Sequence, residues 1–274
     1  MRTSSMSLVL CSVALAILAT TACESAPRRL RLATTTSTRD SGLLAALVPP
    51  FATEDRVRVD IIAVGTGKAL KIGEAGDVDV VLVHARTAED AFMAAGHGSR
   101  REDVMHNTFE LLGPPADPAQ IKGLEVTAAL GRIATAKPAF VSRGDDSGTH
   151  KRELALWDDA GGLEPWERYF ETGQGMGRSL MIADEKLGYI LADRGTYLAF
   201  KDKIDLVPLV ATSAKMRNPY GVMVVNGGRH PKADAQRANA FVDHLISPRG
   251  QRIIRDFKIA GEQLFFPAHP VADQ

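Results

Sequence analysis

Cysteine is nearly absent from this sequence of 274 residues, which contains only Cys11 and Cys23. Cys11 falls inside an apolar N-terminal segment that we expect to be removed, so the mature chain would keep one thiol and form no internal disulfide.

An excess of either charge is also lacking, because 33 basic and 33 acidic side chains give a formal net charge of zero. This balance excludes a global basic field for nucleic acid or an anionic membrane surface. Any anion specificity must therefore come from a local group of donors.

Long apolar runs are scarce as well, and the one that is present lies at residues 6–18. Arg2 precedes this run, and small residues follow it up to Ala22. This order is typical of a secretory signal peptide, and the run is too short for a comfortable membrane-spanning helix. We predict a signal peptide over residues 1–22, with a buried core helix as the alternative.

Cys23 stands directly after the predicted signal peptide. An exposed unpaired thiol is a liability in an oxidising compartment, and a bacterial lipobox with cleavage after Ala22 and lipidation of Cys23 would account for it. Thr20 occupies the place where such signals usually carry leucine, so a plain cleaved signal peptide is the alternative. Residues 23–29 would then form a short tether. We expect an exported protein, periplasmic or anchored by lipid to the outside of the cytoplasmic membrane.

The spacing of apolar residues predicts an α/β protein. Alternating strand and helix patterns in the first half imply a parallel sheet with right-handed crossovers. The predicted strands are 30–33, 57–64 and 78–83, and the predicted helices are 42–51, 68–75 and 87–95. Residues 78–83 form a nearly continuous apolar run, which is typical of a strand covered on both faces.

A second α/β unit begins after a strand-like segment at 109–113 and two consecutive prolines. Further predicted elements are helices at 126–135, 149–157 and 178–186, strands at 139–142 and 220–225, and one long or two broken helices over 233–254. We predict two lobes, each a mostly parallel sheet flanked by helices, with a ligand cleft between them. Lobe I would comprise residues 30–113 and 217–274, and lobe II residues 114–216.

Two strand-to-helix junctions of predicted lobe I carry residues suited to an anion. Five consecutive hydroxyl residues at 34–38 lie between the first predicted strand and helix. Hydroxyl side chains favour the turn that opens a helix, where unpaired backbone N–H groups can bind an anion. Residues 64–67 add two glycines and Thr66 at the next junction. Taken alone, the first junction could equally be a helix start without a ligand, and the two glycines of the second favour a structural turn.

The third junction, residues 142–150 in predicted lobe II, combines Arg143 with hydroxyls, glycines and a helix start. Arginine suits planar, bidentate binding of oxyanions. We expect Asp145 and Asp146 to cap the helix or to orient Arg143 and the loop rather than to contact a ligand. A tetrahedral dianion accepts hydrogen bonds only, and the three junctions together supply donors for it from both lobes.

Seven segments follow one another along the chain: 34–42 (TTTSTRDSG), 63–70 (AVGTGKAL), 79–85 (DVVLVHA), 142–150 (SRGDDSGTH), 173–177 (GQGMG), 193–197 (DRGTY) and 218–220 (NPY). In this order they resemble the motifs of the periplasmic tungstate-binding proteins of ABC transporters, over nearly all of the chain past residue 30. The resemblance implies a type II periplasmic-binding fold, tungstate bound between the lobes, and delivery to a membrane permease driven by a cytoplasmic ATPase. Carried over residue by residue, it implies contacts to the oxyanion from Thr35, Thr36, Ser37, Thr66, Arg143, Ser147 and Thr149.

Other ligands and another class of protein are the alternatives. Molybdate, sulfate and phosphate are tetrahedral too, and residue types alone do not separate molybdate from tungstate. Phosphate is disfavoured, because a protonated oxyanion usually calls for a carboxylate acceptor. A protein that senses the anion for a membrane partner would keep the same fold. Ser147, His150 and Asp145 or Asp146 include the residue types of a serine hydrolase, but Ser147 lies outside a G-x-S-x-G elbow.

The remaining polar residues point to no further chemistry. The histidines show no metal-ligand spacing with one another or with Cys23, so we predict no metal site, no cofactor and no enzyme. We expect His84 to be a hydrogen-bonded structural histidine at the end of the third strand. Arg194 is expected to pair with Asp193 or to cap a helix, and the protein is expected to be a monomer.

Overall fold

The computed structural model describes residues 28–271. The predicted signal peptide, Cys23 and residues 24–27 lie outside the described residues. The strands are β1 (Arg28–Thr35), β2 (Val57–Val64), β3 (Val80–Val83), β4 (Gly98–Gly113), β5 (Phe140–Ser142), β6 (Tyr169–Glu171), β7 (Tyr189–Asp193), β8 (Val207–Pro208), β9 (Arg217–Val225), β10 (Lys258–Ile259), β11 (Glu262–Gln263) and β12 (Phe266–Pro267). The helices are α1 (Thr36–Asp40), α2 (Leu43–Glu54), α3 (Thr66–Glu74), α4 (Arg86–Ala94), α5 (Val126–Ala136), α6 (Gly148–Asp159), α7 (Met176–Glu185), α8 (Arg194–Phe200), α9 (Ala235–Ile246) and α10 (Pro248–Asp256).

Strands β1, β2 and β3 pair in parallel, with β1 between the other two. This confirms the parallel arrangement predicted for the first half. Strand β1 begins at Arg28, so Arg28 and Arg29, which the sequence analysis assigns to the tether, are paired with β2 instead. On the other side of the molecule β5 pairs in parallel with β6 and β7. Strands β6 and β7 and helix α8 were not predicted from the sequence.

Strand β4 joins the two halves of the fold. It pairs antiparallel with β9 as far as Thr108, opposite Arg217, and with β7 from Phe109 onward, opposite Asp193. The chain therefore passes from one sheet to the other between 108 and 109, before residue 114, and returns where β9 begins. Only the last residues of this 16-residue strand were predicted from the sequence.

Apolar clusters cover both faces of the first sheet. In β3, Val80 and Leu82 pack into one cluster, while Val81 and Val83 pack into another on the opposite face. All four side chains are fully buried, which explains the continuous apolar run, because successive residues of a strand face opposite sides. Two further clusters lie against β5 and β7.

The last helical segment is two helices rather than one. Ser247 ends α9, and its Oγ accepts a hydrogen bond from the backbone N–H of Gly250 at 3.1 Å to cap α10. Pro248 occupies the first turn of α10, where a missing N–H costs nothing. None of the helices in residues 28–271 is long and apolar enough to span a membrane.

Candidate anion-binding site

The hydroxyl residues at the end of β1 and in the turn after it divide between the core and the surface. Thr34 is buried, and its Oγ1 donates to a carbonyl oxygen of β3 at 2.8 Å. Thr35 is the N-cap of α1, since its Oγ1 accepts from the backbone N–H of Thr38 at 3.2 Å and contacts the Thr38 hydroxyl at 2.6 Å. Thr36 and Ser37 are exposed. The hydroxyl of Thr35 is therefore engaged in capping, whereas those of Thr36 and Ser37 lie at the surface of the turn.

Thr66 opens α3 at the adjacent strand end. Its predecessor Gly65 is the N-cap and provides no side-chain hydrogen bond. Within the described part of the chain the Thr66 hydroxyl has no hydrogen-bond partner, and the residue is partly exposed. Thr35 and Val64 are register partners in β1 and β2, so α1 and α3 begin side by side at the same edge of the sheet.

The loop between β5 and α6 is organised by one carboxylate. Asp145 forms an ion pair with Arg143 and accepts the backbone N–H of Ser147 at 3.2 Å. Partial burial opposes ionisation, but the hydrogen bonds from Ser147 and the charge of Arg143 hold the pKa of Asp145 below its ordinary value. This confirms that Asp145 orients Arg143 and the loop. Asp146 is exposed and pairs with Lys151 at 3.3 Å.

Ser147 caps α6, because its Oγ accepts the backbone N–H of His150 at 3.3 Å. Thr149 is buried in the first turn of this helix. The Nδ1 atom of His150 accepts the backbone N–H of Asp146 at 3.1 Å, so a neutral imidazole carries its hydrogen on Nε2. His150 was not among the contacts predicted from the sequence.

Two buried donors of this loop have no hydrogen-bond partner within residues 28–271: Nε of Arg143 and Nε2 of His150. A buried donor left without an acceptor costs about 1–3 kcal/mol, and such a group in a protein calls for an explanation. An acceptor-only ligand held by this loop would provide one.

His84 connects the turn after β1 to the start of α6. Its Nε2 lies 3.3 Å from Oγ of Ser37 and its Nδ1 lies 3.2 Å from Oδ1 of Asn218. The ring stacks on Tyr220 with a centroid distance of 4.7 Å. A Cβ atom built on Gly148 would lie 3.8 Å from Cε1 of His84. The prediction of a hydrogen-bonded histidine is confirmed, and the same residue lies where the first and third junctions meet.

The glycine-rich segment before α7 packs against the Arg143 loop. The backbone N–H of Gly173 donates to the carbonyl oxygen of Arg143 at 2.8 Å, and that of Thr172 donates to the carbonyl oxygen of Ser142 at 3.1 Å. Gly144, in the loop itself, has φ of +58°, and a Cβ atom there would lie 2.8 Å from Cβ of Glu171. Both the conformation and the space at this position require glycine.

The ion-pair partners of Arg194 differ from the predicted one, Asp193. It pairs with Glu110 at 2.9 Å and with Glu262 at 2.8 Å, and not with Asp193. Asp193 instead caps α8 by accepting the backbone N–H of Thr196 at 2.8 Å. The guanidinium of Arg194 is therefore engaged by two carboxylates.

Known proteins share both the sequence and the architecture. A family described as a PBP superfamily domain matches residues 21–249. The tungstate-binding protein TupA of Peptoclostridium acidaminophilum is 44% identical over 241 residues, which cover 86% of this chain and 84% of that protein. The solved structure of the tungstate-binding protein TupA from Desulfovibrio alaskensis G20 is 45% identical with a TM-score of 0.85, covering 89% of this chain and 100% of that one. The chain belongs to the family of tungstate-binding proteins within the PBP superfamily.

A second solved structure of this family, that of the tungstate ABC transporter from Geobacter sulfurreducens, is 51% identical. It has a TM-score of 0.74 and covers 84% of this chain and 98% of that one. These likenesses confirm the predicted fold class, an α/β periplasmic-binding fold. The tungstate-binding relatives imply a location outside the cytoplasm, which agrees with the predicted export.

The serine-hydrolase alternative is not supported. The relatives of this chain are tungstate-binding transport proteins and not enzymes. Ser147 accepts the backbone N–H of His150, and among the described residues no hydrogen bond joins its hydroxyl to the imidazole of His150. A triad needs that bond to activate its nucleophile. In the same part of the chain no group of three or more His, Cys, Asp or Glu residues could hold a metal ion.

Proposed function

We propose that this protein captures tungstate between its two lobes outside the cytoplasm and delivers it to the permease of an ABC transporter. The observation that carries the proposal is the approach of His84, which contacts Ser37, to Gly148 at the start of α6. This approach brings a donor-rich turn of predicted lobe I close to the Arg143 loop of predicted lobe II. The relatives bind tungstate, and their identity of 44–51% supports the same ligand here.

The chemistry of the proposed site suits an anion that only accepts hydrogen bonds. The hydroxyls of Thr36, Ser37 and Thr66 and the guanidinium of Arg143 would face the ligand, together with backbone N–H groups at the helix starts. Thr35 would contribute mainly by shaping its turn, because its hydroxyl caps α1 and contacts the hydroxyl of Thr38. The Ser147 hydroxyl accepts a backbone N–H as the cap of α6 and keeps its own hydrogen for the ligand, and Thr149 lies in the first turn of the same helix.

The carboxylates beside the proposed site are already engaged. Asp145 is paired with Arg143, and both oxygens of Asp193 accept hydrogen bonds from Thr196 at 2.8 Å. An oxyanion that carries a proton, such as phosphate near neutral pH, would find neither Asp145 nor Asp193 free to accept it. This favours fully deprotonated tungstate or molybdate over phosphate.

Transport requires partners beyond the ligand. A membrane permease with a cytoplasmic ATPase would take the oxyanion from the closed lobes, as expected of a binding protein of an ABC transporter. Lipidation of Cys23 would hold the protein close to that permease. We further propose that the protein acts as a monomer.

Calorimetric titration of the mature protein with tungstate, molybdate, sulfate and phosphate tests this function. We expect a submicromolar or lower Kd for tungstate, with sulfate and phosphate far weaker. Tightest binding of sulfate or phosphate would reject tungstate as the ligand, and no binding of any of the four would reject the function itself.

A further inference from the structure

A chain of buried amides leads from the connection between the two sheets to the anion site. Asn107 and Asn218 are register partners in β4 and β9, next to the point where β4 changes its partner strand. Nδ2 of Asn218 donates to Oδ1 of Asn107 at 2.8 Å, and Nδ2 of Asn107 donates to the hydroxyl of Tyr220 at 3.4 Å. Both asparagines are buried, and the structure orients their amides so that Nδ2 of each one donates along this chain.

These bonds decide which nitrogen of His84 carries a hydrogen. Because Nδ2 of Asn218 is committed to Asn107, it is Oδ1 of Asn218 that faces Nδ1 of His84, at 3.2 Å. An amide oxygen only accepts, so Nδ1 of His84 must be the donor. In the neutral imidazole Nε2 is then an acceptor.

While that imidazole is neutral, the hydrogen bond between Ser37 and His84 requires the Ser37 hydroxyl as its donor. Oγ of Ser37 also lies 3.1 Å from Oγ1 of Thr35, which already accepts the backbone N–H of Thr38. The distance from Oγ of Ser37 to Nε2 of His84 is 3.3 Å. In this arrangement Ser37 would turn oxygen lone pairs toward a bound anion, and the interaction would be repulsive. A second hydrogen on His84 reverses the bond, because Nε2 then donates to Oγ and the hydroxyl hydrogen of Ser37 becomes free for the anion.

We propose that His84 takes up one proton from solvent when the oxyanion binds, and that it thereby turns the hydroxyl of Ser37 toward the ligand. Binding is then a reaction of the protein with one dianion and one proton. His84 acts through Ser37, so it is a positioning residue. The inference rests on the proposed function, since it requires a dianion at the turn after β1.

The surroundings of His84 fit this role. Burial lowers its pKa, while the hydrogen bond with Asn218 and the charge of Asp193 raise it, so the ligand-free imidazole is neutral at pH 7. The ring also faces Tyr220. The nearby charges on the other packed elements are already paired, Arg143 with Asp145 and Glu89 with Arg101. A dianion beside Ser37 adds negative charge that stabilises the imidazolium.

Calorimetry in two buffers of different ionisation enthalpy, neither of them phosphate, counts the protons bound with tungstate. For the wild type at pH 7 we expect roughly 0.5 to 1 proton taken up per tungstate, with Kd falling by up to about tenfold per pH unit between pH 8 and 6. His84→Gln retains a side chain that reaches Ser37, and His84→Asn retains one that reaches Asn218. Both variants should bind tungstate without proton uptake and with a Kd independent of pH.

His106→Gln is the matched control, because His106 is another partly buried histidine whose pKa is lowered, chiefly by burial. This variant should keep the proton uptake of the wild type. Tungstate binding by the wild type without proton uptake would overturn the inference but leave the proposed function intact. The inference would also be overturned if either His84 variant bound tungstate and still took up as many protons as the wild type. Absence of tungstate binding to the wild type would instead reject the proposed function.

Discussion

Arg194 at the start of α8 donates from Nη1 to Oε1 of Glu110 in β4 at 2.9 Å. Glu110 is buried just after the point where β4 passes from one sheet to the other. Its carboxylate also accepts the hydroxyl of Thr108 at 3.1 Å. The other arm of Arg194 reaches Glu262, which additionally pairs with Lys201 at 2.7 Å. One guanidinium thus ties α8 both to the connecting strand and to the C-terminal segment.

We expect Arg194→Met to destabilise the protein far more than Glu262→Gln. Loss of Arg194 leaves the carboxylate of Glu110 buried and unpaired, which costs about 3–5 kcal/mol for a fully buried pair. The Arg194 side chain is 21% exposed, so we expect about 2–3 kcal/mol. Glu262 is 43% exposed, and its replacement should cost at most about 1 kcal/mol. Urea unfolding measures both values, and adding Glu110→Gln to Arg194→Met should recover part of the loss. Equal costs for the two single variants would contradict the prediction.

Thr35→Ala and Thr66→Ala should separate a capping hydroxyl from a binding hydroxyl. Thr35 is buried and caps α1, so its loss should lower the free energy of unfolding by about 1 kcal/mol. Thr66 has no partner among the described residues, and its replacement should leave the unliganded stability within about 0.5 kcal/mol. The Kd for tungstate should rise roughly two- to tenfold in Thr66→Ala. Thermal unfolding without ligand, followed by titration with tungstate, checks both, and a destabilised Thr66→Ala would contradict the assignment.

The sequence predicted the elements whose signals are local. Strand β3 followed from a continuous apolar run, and the helix starts after β1, β2 and β5 followed from hydroxyl and glycine residues. The first part of β4 was missed because it carries charged side chains, which find partners far along the chain. Arg101 pairs with Glu89 in α4 at 2.7 Å, and Arg100 pairs with Asp243 in α9 at 2.7 Å. Apolar periodicity does not reveal strands whose side chains are neutralised by such pairs.

In the candidate site, too, local features could be predicted from the sequence, whereas features that depend on distant residues could not. Its three turns could be located from residue types, but which hydroxyls of the 34–38 run face outward depends on where α1 begins. The partner of Arg194 could not be found, because Glu110 lies 84 positions away while Asp193 is its neighbour in sequence. The hydrogen-bond direction at His84 depends on Asn107 and Asn218, which lie on two strands paired only in the folded protein.

Glu153 should make the stability of the protein fall as pH rises. This buried residue of α6 accepts the hydroxyl of Tyr169 at 3.0 Å, and burial raises its pKa from the ordinary value of 4.5 to about 7. Its stabilising contribution is therefore complete below the pKa of the unfolded chain and is lost as pH rises through about 7. Glu153→Gln should be more stable than the wild type by about 2–3 kcal/mol at pH 8.5 and equal to it at low pH.

Urea unfolding of Glu153→Gln at pH 5 and pH 8.5 provides the measurement. The exposed Glu164 offers a matched control, since Glu164→Gln should follow the wild type at both pH values. A stability difference between Glu153→Gln and the wild type that does not change with pH would show that Glu153 does not titrate in this range.

Arg143 provides the last prediction, because it is the one cation that we place among the contacts to the oxyanion. Removing one partner of a buried, charge-assisted pair costs about 2–5 kcal/mol, or roughly thirty-fold to several thousand-fold in affinity. Arg143→Ala should therefore raise the Kd for tungstate more than Thr66→Ala or Ser147→Ala does. Arg143→Lys restores the charge without the planar fork and should recover only part of the affinity.

The ion pair between Arg143 and Asp145 sharpens this experiment. In Arg143→Ala the carboxylate of Asp145 loses its cation and faces a dianion, so part of the loss is repulsion. Adding Asp145→Asn removes that charge and should recover about tenfold in affinity, the effect of roughly 1.4 kcal/mol. Calorimetry on the single and double variants measures this recovery. If Arg143→Ala bound tungstate like the wild type, Arg143 would be structural, and the anion would be held by hydroxyl and amide groups alone.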